Sequence, residues 1–336
     1  MRKASLFSGI GGIDLAAKWV GMTTVAFCEI EPFCQRVLRK HWPHVPIIDD
    51  VHDFNRRGLE ELGIGTIDII SAGYPCQPFS VAGKRRGAED DRHLWPEVKR
   101  ILEEIRPRWF VGENVAGHVT LGLDDVLSDL ESIDYTAQAF VIPAAAVRAS
   151  HRRDRVFVVA YACGIRRDDG GDNRKERHIQ DHINGNAPES ESKRYGWISR
   201  VGKTGTTMAD TSGARREECD ATAFADRPGH SSRSGDSFGG NRPTQPGMGG
   251  SAHELSAEMD GGMNPLDALA DFIASYPQPA LLGQPQYDWE PPRVATGIKD
   301  RVARLKALGN AVDPLQIFPI MYAIKLIDDW LREGTA

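Results

Sequence analysis

Four short segments combine residue types and spacings that can do chemistry. Cys76 stands between Pro75 and Pro78 in the run Ser71-Ala72-Gly73-Tyr74-Pro75-Cys76-Gln77-Pro78-Phe79-Ser80. Proline fixes the backbone and removes a donor. A thiol held in one direction this way suits a nucleophile better than a packing residue, and only its thiolate attacks. Glu113, in Gly112-Glu113-Asn114-Val115, has apolar Val111 and Val115 close in sequence. A carboxyl so placed can have a raised pKa and donate a proton, and a salt-bridge role is the ordinary alternative. In His151-Arg152-Arg153-Asp154-Arg155-Val156-Phe157, Arg153 and Arg155 share one face if the segment is extended. Two guanidiniums on one face suit a phosphate or a base oxygen, against the alternative of a solvated strand edge. Phe7-Ser8-Gly9-Ile10-Gly11-Gly12 lets the backbone approach a ligand beside a helix N-terminus, or makes a tight structural turn. Glu29, 20 residues after Gly9, is placed for ribose hydroxyls. Asp14 breaks a full G-x-G-x-x-G, which points away from NAD and toward another adenosine-bearing ligand.

The elements that must hold these segments alternate. Ala4–Phe7 and Thr24–Cys28 read as strands, each followed by a helix, Ile13–Val20 and Pro32–His41. Thr66–Ala72 is a third strand. Leu94, Val98, Ile101, Leu102 and Ile105 recur at helical spacing, and Pro107 stops that helix before a strand at Trp109–Gly112. Leu123–Ile133 reads as helix, and Tyr135–Ile142 and Arg155–Tyr161 as two strands close enough in sequence to run antiparallel. Alternation of this kind predicts an α/β fold with a mostly parallel sheet and helices on both faces, and puts Phe7–Gly12, Pro75-Cys76-Gln77 and Glu113-Asn114-Val115 at strand ends, where open sheets place ligands. At the end of the chain, Ile317, Ile320, Met321, Ile324, Ile327 and Leu331 form the stripe of a closing core helix.

The 336 residues carry 41 Lys+Arg against 47 Asp+Glu, a net charge of −6, with 40% hydrophobic residues. That excludes a collagen-like chain, a coiled-coil rod and a wholly disordered chain, and argues against a uniformly basic nucleic-acid binder while leaving room for a local basic cleft. No apolar run of about 18 residues is present, and the N-terminus reaches glycines too early for a signal-peptide core, so a cytoplasmic protein is expected. Five cysteines without CxxC spacing argue against a disulfide framework or a zinc ribbon. Cys28, Cys34, Cys163 and Cys219 read as buried small hydrophobes, His178 and His182 as a surface pair, and no metal site is expected. Between Gly164 and Gly262 lie 17 of the 34 glycines, and apolar runs vanish. This texture predicts a loop-rich insertion, partly disordered, with order returning near Met263.

Together these pieces occur in a telling order: Phe-x-Gly-x-Gly-Gly, an acid after strand two, Pro75-Cys76-Gln77, Glu113-Asn114-Val115, Arg-x-Arg and a final Gly309-Asn310-Ala311-Val312. The chain therefore resembles the DNA cytosine-5 methyltransferases of the bacterial and phage kind, over residues 3–162 and 293–325. The resemblance implies a Rossmann-like class I S-adenosylmethionine-dependent methyltransferase domain, residues 1–162 plus 293–336. Residues 163–292 would be an inserted target-recognition region, and a tail strand and helix would fold back to complete the catalytic domain. It implies that Cys76 attacks cytosine C6, that Glu113 donates to N3, and that Arg155 and Arg153 hold the flipped base and its phosphate. Phe7, Ser8, Gly9, Gly11 and Gly12 would line the S-adenosylmethionine site. Glu29 would bind the ribose, Ile30 would lie against adenine, and Asp50 and Val51 would sit near its edge. Tyr74, Leu94, Asn310 and Ala311 would add further cofactor contacts. Gln77, Ser80, Lys84, Arg85, Arg86 and Arg153 would contact DNA.

The chemistry suits these residue types. Cytosine C5 is a poor nucleophile until a thiolate adds at C6, and the stacked base must be flipped out to be reached. The cations of Gly83-Lys84-Arg85-Arg86-Gly87 suit a loop closing over DNA, and Arg148, Arg152, Arg166 and Arg167 add to a local patch that would make binding steeply salt-dependent. One departure stands out: the Gln that usually opens the Arg-x-Arg motif is His151 here. The expected partners are duplex DNA and, acting separately, a cognate restriction endonuclease, with no membrane and a monomeric enzyme. Competing readings are a tRNA cytosine-5 methyltransferase, a catalytically impaired DNA-binding remnant, and a nicotinamide oxidoreductase, in which Pro75-Cys76-Gln77 has no role. An exocyclic-amino methyltransferase is disfavoured by Tyr74-Pro75-Cys76.

Overall fold

The computed structural model describes residues 1–75, 94–163, 264–280, 283–290, 292 and 296–333. One compact unit comprises Met1–Gly171 and Met248–Ala336; the other, Asp172–Gly247, lies outside the described residues. So do Cys76 with the loop that follows it, Cys219, and the histidine pair at 178 and 182.

Among the described residues seven strands form one sheet. They are β1 (Arg2–Leu6), β2 (Thr23–Cys28), β3 (Ile47–Ile48), β4 (Ile69–Ala72), β5 (Trp109–Val115), β6 (Tyr135–Pro143) and β7 (Asp154–Ala162). Their order is β3-β2-β1-β4-β5-β7-β6. The first five are parallel, and β7 enters antiparallel between β5 and β6. The α/β architecture and the antiparallel pairing of the last two strands agree with the alternation in the sequence. The two-residue β3 has too few apolar positions to show a period.

The described helices are α1 (Gly12–Trp19), α2 (Pro32–His41), α3 (Arg56–Glu61), α4 (Trp95–Ile105), α5 (Leu123–Ser132), α6 (Pro265–Ser275), α7 (Arg301–Asn310) and α8 (Pro314–Glu333). Proline in the first turn starts α2, α4 and α6 where the missing N–H has no intrahelical partner anyway. Arg106, left-handed at φ 54, ends α4 directly before Pro107. α7 is a correction: a strand was expected in the tail, and 301–310 is helical instead.

The sheet is covered on both faces. On one, Ala4, Leu6, Ala26, Ile70, Ala72, Phe110, Val158 and Ala160 pack against Leu59, Val98, Ile101, Leu102, Val126 and Leu130 of α3, α4 and α5. On the other lie α1 and α8, whose stripe is buried at Ile317, Ile320, Met321, Ile324 and Leu331. α6 joins this second layer through Phe272, stacked on Phe318 at 4.2 Å, and through Tyr276, 5.0 Å from Trp19. This layer also contains a buried polar group. Lys3 Nζ lies 2.5 Å from Asp14 Oδ1, and Ser5 and Thr24 hydroxyls donate to the same carboxylate at 2.9 and 3.0 Å. It pins the first turn of α1 to β1 and β2. No described helix is long and apolar enough to cross a membrane.

Candidate active site

In this strand order the chain leaves β1 toward β2 on one side and reaches β4 on the other, so the crevice of the open sheet lies beyond the C-terminal ends of β1 and β4. A cavity of about 1140 Å3 occupies that position. Loops from the ends of β1, β2, β3, β4 and β5 line it, and α7 with residues 311–312 forms its outer wall.

The β1 exit is a chain of unusual backbone angles: Phe7 has φ 52, Gly9 φ 55 and Gly11 φ 84. A Cβ on Gly9 would meet nothing within 4 Å, so its backbone faces open space. A Cβ on Gly12 would lie 2.7 Å from the Val312 carbonyl oxygen, so glycine is what lets this loop and the tail close together. Glu29 ties the β1 and β2 exits: Oε2 accepts from Gly9 N at 2.6 Å and Oε1 from Glu31 N at 2.8 Å. Burial pushes its carboxyl above the usual carboxylate range, and the two N–H donors oppose the shift. Next to it Ile30 presents 67% of its surface at the cavity rim. Asp50 accepts from His52 N at 2.9 Å and lies 2.6 Å from His52 Nδ1, which holds its carboxyl below the usual range. Val51 and Leu94 complete this side.

The β4 exit, Gly73-Tyr74-Pro75, leads straight to Cys76. Beside it stands Glu113, 9% exposed, with Oε2 near enough that a Cβ on Gly73 would be 3.4 Å from it. Arg155 Nε lies 2.7 Å from Glu113 Oε1. The two project from the same face of paired strands, since Glu113 opposes Phe157 and Arg155 opposes Val115 in the ladder. The contact is an ion pair by distance, while the Arg155 Nε–H does not aim at the carboxylate well enough for a directed hydrogen bond. Burial pushes the Glu113 carboxyl up to about 7, and the charges of Arg155 and then Arg153 hold it from rising further. The sequence suggested a raised pKa from apolar neighbours; burial is the cause, with the salt bridge present as well.

Arg153 departs from the expected pairing. It precedes β7 and has φ 32, so strand alternation does not govern it. Its Nη2 donates to the Gly309 and Ala311 carbonyl oxygens at 2.5 and 2.8 Å. It thus holds Asn310 and Ala311 at the cavity wall. Gln316 Nε2 in turn donates to the Arg153 carbonyl at 2.9 Å.

Several site residues gave no clear signal in the sequence. Asn114 Nδ2 donates to the Tyr74 carbonyl at 3.1 Å, and the Tyr74 hydroxyl lies 2.9 Å from His118 Nε2. Lys306 of α7 pairs with Glu31, and Arg36 with Asp300 at 3.2 Å, linking α7 to α2 and the loop before it. Asn114 and Tyr74 belong to motifs with a visible signal; His118, Lys306, Glu31, Arg36 and Asp300 lie in segments with ordinary composition. The thiols of Cys28 and Cys34 are pushed up by burial to about 12 and about 11, which fits their reading as packing residues. Among the described residues no group of three or more His, Cys, Asp and Glu could hold a metal ion. Lys84, Arg85, Arg86, Gln77 and Ser80 lie outside the described residues.

A sheet of this order, with a glycine loop and an acid at its first two exits and a buried acid–arginine pair at β5 and β7, defines a class I methyltransferase-like α/β domain. Residues 1–222 match the family of C-5 cytosine-specific DNA methylases, and the chain belongs to that family. The chain is 34% identical over 171 residues to Type II methyltransferase M2.BsuMI of Bacillus subtilis (strain 168), covering 48% of this chain and 42% of that protein. It is 35% identical over 162 residues to Type II methyltransferase M.CviJI of Paramecium bursaria Chlorella virus IL3A, covering 47% and 42%. The chain thus spans less than half the length of these relatives. The crystal structure of S. pombe Dnmt2 methyltransferase aligns over 98% of this chain and 99% of its own, at 15% identity and a TM-score of 0.49.

Proposed function

We propose that the protein methylates C5 of cytosine in a specific duplex DNA sequence, through a covalent bond between Cys76 and C6 of a flipped base. The observation that carries this reading is Glu113: a buried acid with a pKa of about 7, paired with Arg155, beside the strand exit that runs into Pro75-Cys76.

The cavity fits S-adenosylmethionine by its own chemistry. Gly9 offers an unobstructed backbone, Glu29 and Asp50 offer carboxylates for ribose and adenine edges, and exposed Ile30 offers an apolar face. About 1140 Å3 exceeds an ordinary ligand site of roughly 300–1,000 Å3, which leaves room for a base beside a cofactor. Bound there, S-adenosylmethionine supplies an electrophilic methyl group. The protein's residues prepare the acceptor. The Cys76 thiolate forms a bond to C6, the C5–C6 electron pair moves into the ring toward N3, and Glu113 gives N3 its proton. Neutralising the ring leaves electron density at C5. Arg155 fixes the carboxyl and adds positive charge beside the base. C5 then takes the methyl group as the bond from that methyl to sulfur breaks, N3 returns its proton to Glu113, and loss of the C5 proton to water re-forms the C5–C6 double bond, expels the Cys76 thiolate and releases 5-methylcytosine.

In this reading residues 163–292 recognise the target sequence, Lys84, Arg85 and Arg86 contact its phosphates, and the protein acts as a monomer in the cytoplasm. A restriction endonuclease, if one accompanies it, acts separately.

The test is transfer of a labelled methyl group from S-adenosylmethionine to unmethylated duplex DNA, with Cys76→Ala beside wild type and the modified positions mapped. Label at cytosine C5 that vanishes in the variant is the expected result. No transfer to DNA by folded, cofactor-binding wild type would overturn it and direct the assay to tRNA.

A further inference from the structure

We propose that His118 is a positioning residue for the nucleophile, acting through the hydroxyl of Tyr74; the inference rests on the function proposed above. Tyr74 is two residues before Cys76 and is held at both ends. Its carbonyl accepts from Asn114 Nδ2 at 3.1 Å, and its hydroxyl lies 2.9 Å from His118 Nε2. The ring is clamped between, 5.1 Å from Trp95 and 5.5 Å, edge-on, from His118. Gly112 makes room, since a Cβ there would come within 3.0 Å of Tyr74 Cε1. Gly112 and Asn114 belong to β5, and His118 to the short turn Ala116–Thr120 that follows it. Glu113 lies between Gly112 and Asn114. One strand and its exit turn therefore hold both the acid and Tyr74, two residues before Cys76 in the chain.

The polar pair is not what packing alone would select. His118 is 4% exposed; burial lowers its pKa against an opposing contact with the Leu121 backbone, and no well-aligned hydrogen bond meets its buried Nδ1. A leucine would fill similar space and leave no poorly met nitrogen, so the bond to Tyr74 is the feature the imidazole adds.

Three variants separate positioning from packing. His118→Leu keeps bulk and removes the hydrogen bond, His118→Gln restores a donor and an acceptor, and Tyr74→Phe deletes one oxygen and keeps the ring. Three quantities are read: the dissociation constant for S-adenosylmethionine without DNA, the melting temperature, and the single-turnover rate of covalent adduct formation. The adduct substrate is a duplex carrying 5-fluorocytosine within the sequence mapped by methyl transfer. With S-adenosylmethionine present, the methylated adduct persists because fluorine replaces the hydrogen that must leave C5. His118→Leu and Tyr74→Phe should each slow adduct formation by about tenfold and combine less than additively, and His118→Leu, at a position outside the cavity lining, should leave cofactor affinity within about twofold. His118→Gln should recover most of the rate. Adduct formation at the wild-type rate in Tyr74→Phe, or in a folded His118→Leu with only its melting temperature lowered, would overturn the inference alone. If His118→Leu does not fold, Tyr74→Phe decides. Absence of any adduct from wild type would overturn the proposed function, and this inference with it.

Discussion

Arg155 Nε lies 2.7 Å from Glu113 Oε1, diagonally across the antiparallel pair of β5 and β7. The guanidinium favours the ionised carboxylate, and burial disfavours it more strongly, so the acid has a pKa of about 7. The folded-state pKa is above the ordinary 4.5. Protonation of Glu113 thus stabilises the fold, fully below pH about 4.5, and this contribution is lost as pH rises through about 7. The rate of methyl transfer should fall on an alkaline limb near pH 7. Glu113→Gln should remove that limb and lower kcat, and Arg155→Met should move the limb upward. A limb that stays near pH 7 in Glu113→Gln would assign it to another group.

Glu29 should govern cofactor affinity. It accepts both the Gly9 and Glu31 N–H groups, so Glu29→Ala frees the glycine loop as well as removing a carboxylate from the cavity. Hydrogen bonds to charged groups contribute about 1.5–3 kcal/mol. The dissociation constant for S-adenosylmethionine, measured by calorimetry without DNA, should rise roughly 10- to 100-fold. An unchanged constant would refute the ribose assignment.

Arg153 offers a test of location. A DNA-phosphate contact would make Arg153→Ala reduce the salt slope of DNA binding by about 0.9. The bonds to the Gly309 and Ala311 carbonyls predict something else: an unchanged slope, with cofactor affinity weakened about tenfold because the cavity wall loosens. Equilibrium binding at several salt concentrations distinguishes the two.

Lys3 and Asp14 are buried at 0% and 1% side-chain exposure. Removing one partner leaves an unpaired buried charge, which costs about 3–5 kcal/mol. Lys3→Met should show that loss in urea denaturation, and Lys3→Met combined with Asp14→Asn should recover much of it. Equal stability of the single and double variants would mean that Asp14 is satisfied by Ser5 and Thr24 alone.

The sequence made the strand ends legible because glycine, proline and cysteine carry conformational or chemical meaning one residue at a time. Phe7–Gly12, Gly112–Val115 and Gly309–Val312 were located this way, and each borders the cavity. What stayed hidden depends on tertiary contacts. Arg153 looked like a strand residue, but its positive φ turns it onto carbonyls 156 and 158 residues away. Residues 301–310 expose Val302, Leu305 and Leu308 on a helix that buries only Ala307, so their apolar spacing did not announce a core face. Nothing in the local sequence marks His118; only the pairing of β4 with β5 brings Tyr74 to it.

Gly12 rests against Val312 across about 300 residues of chain. At roughly 5–20 residues per second, a ribosome takes some 15–60 s to travel between them. The first five strands can emerge and pair in that interval, while the wall supplied by α7 and Val312 is still unmade. The cavity is therefore closed only when the last part of the chain is made, while the Lys3–Asp14 pair, both partners within the first 14 residues, is available from the start to lock α1 to β1.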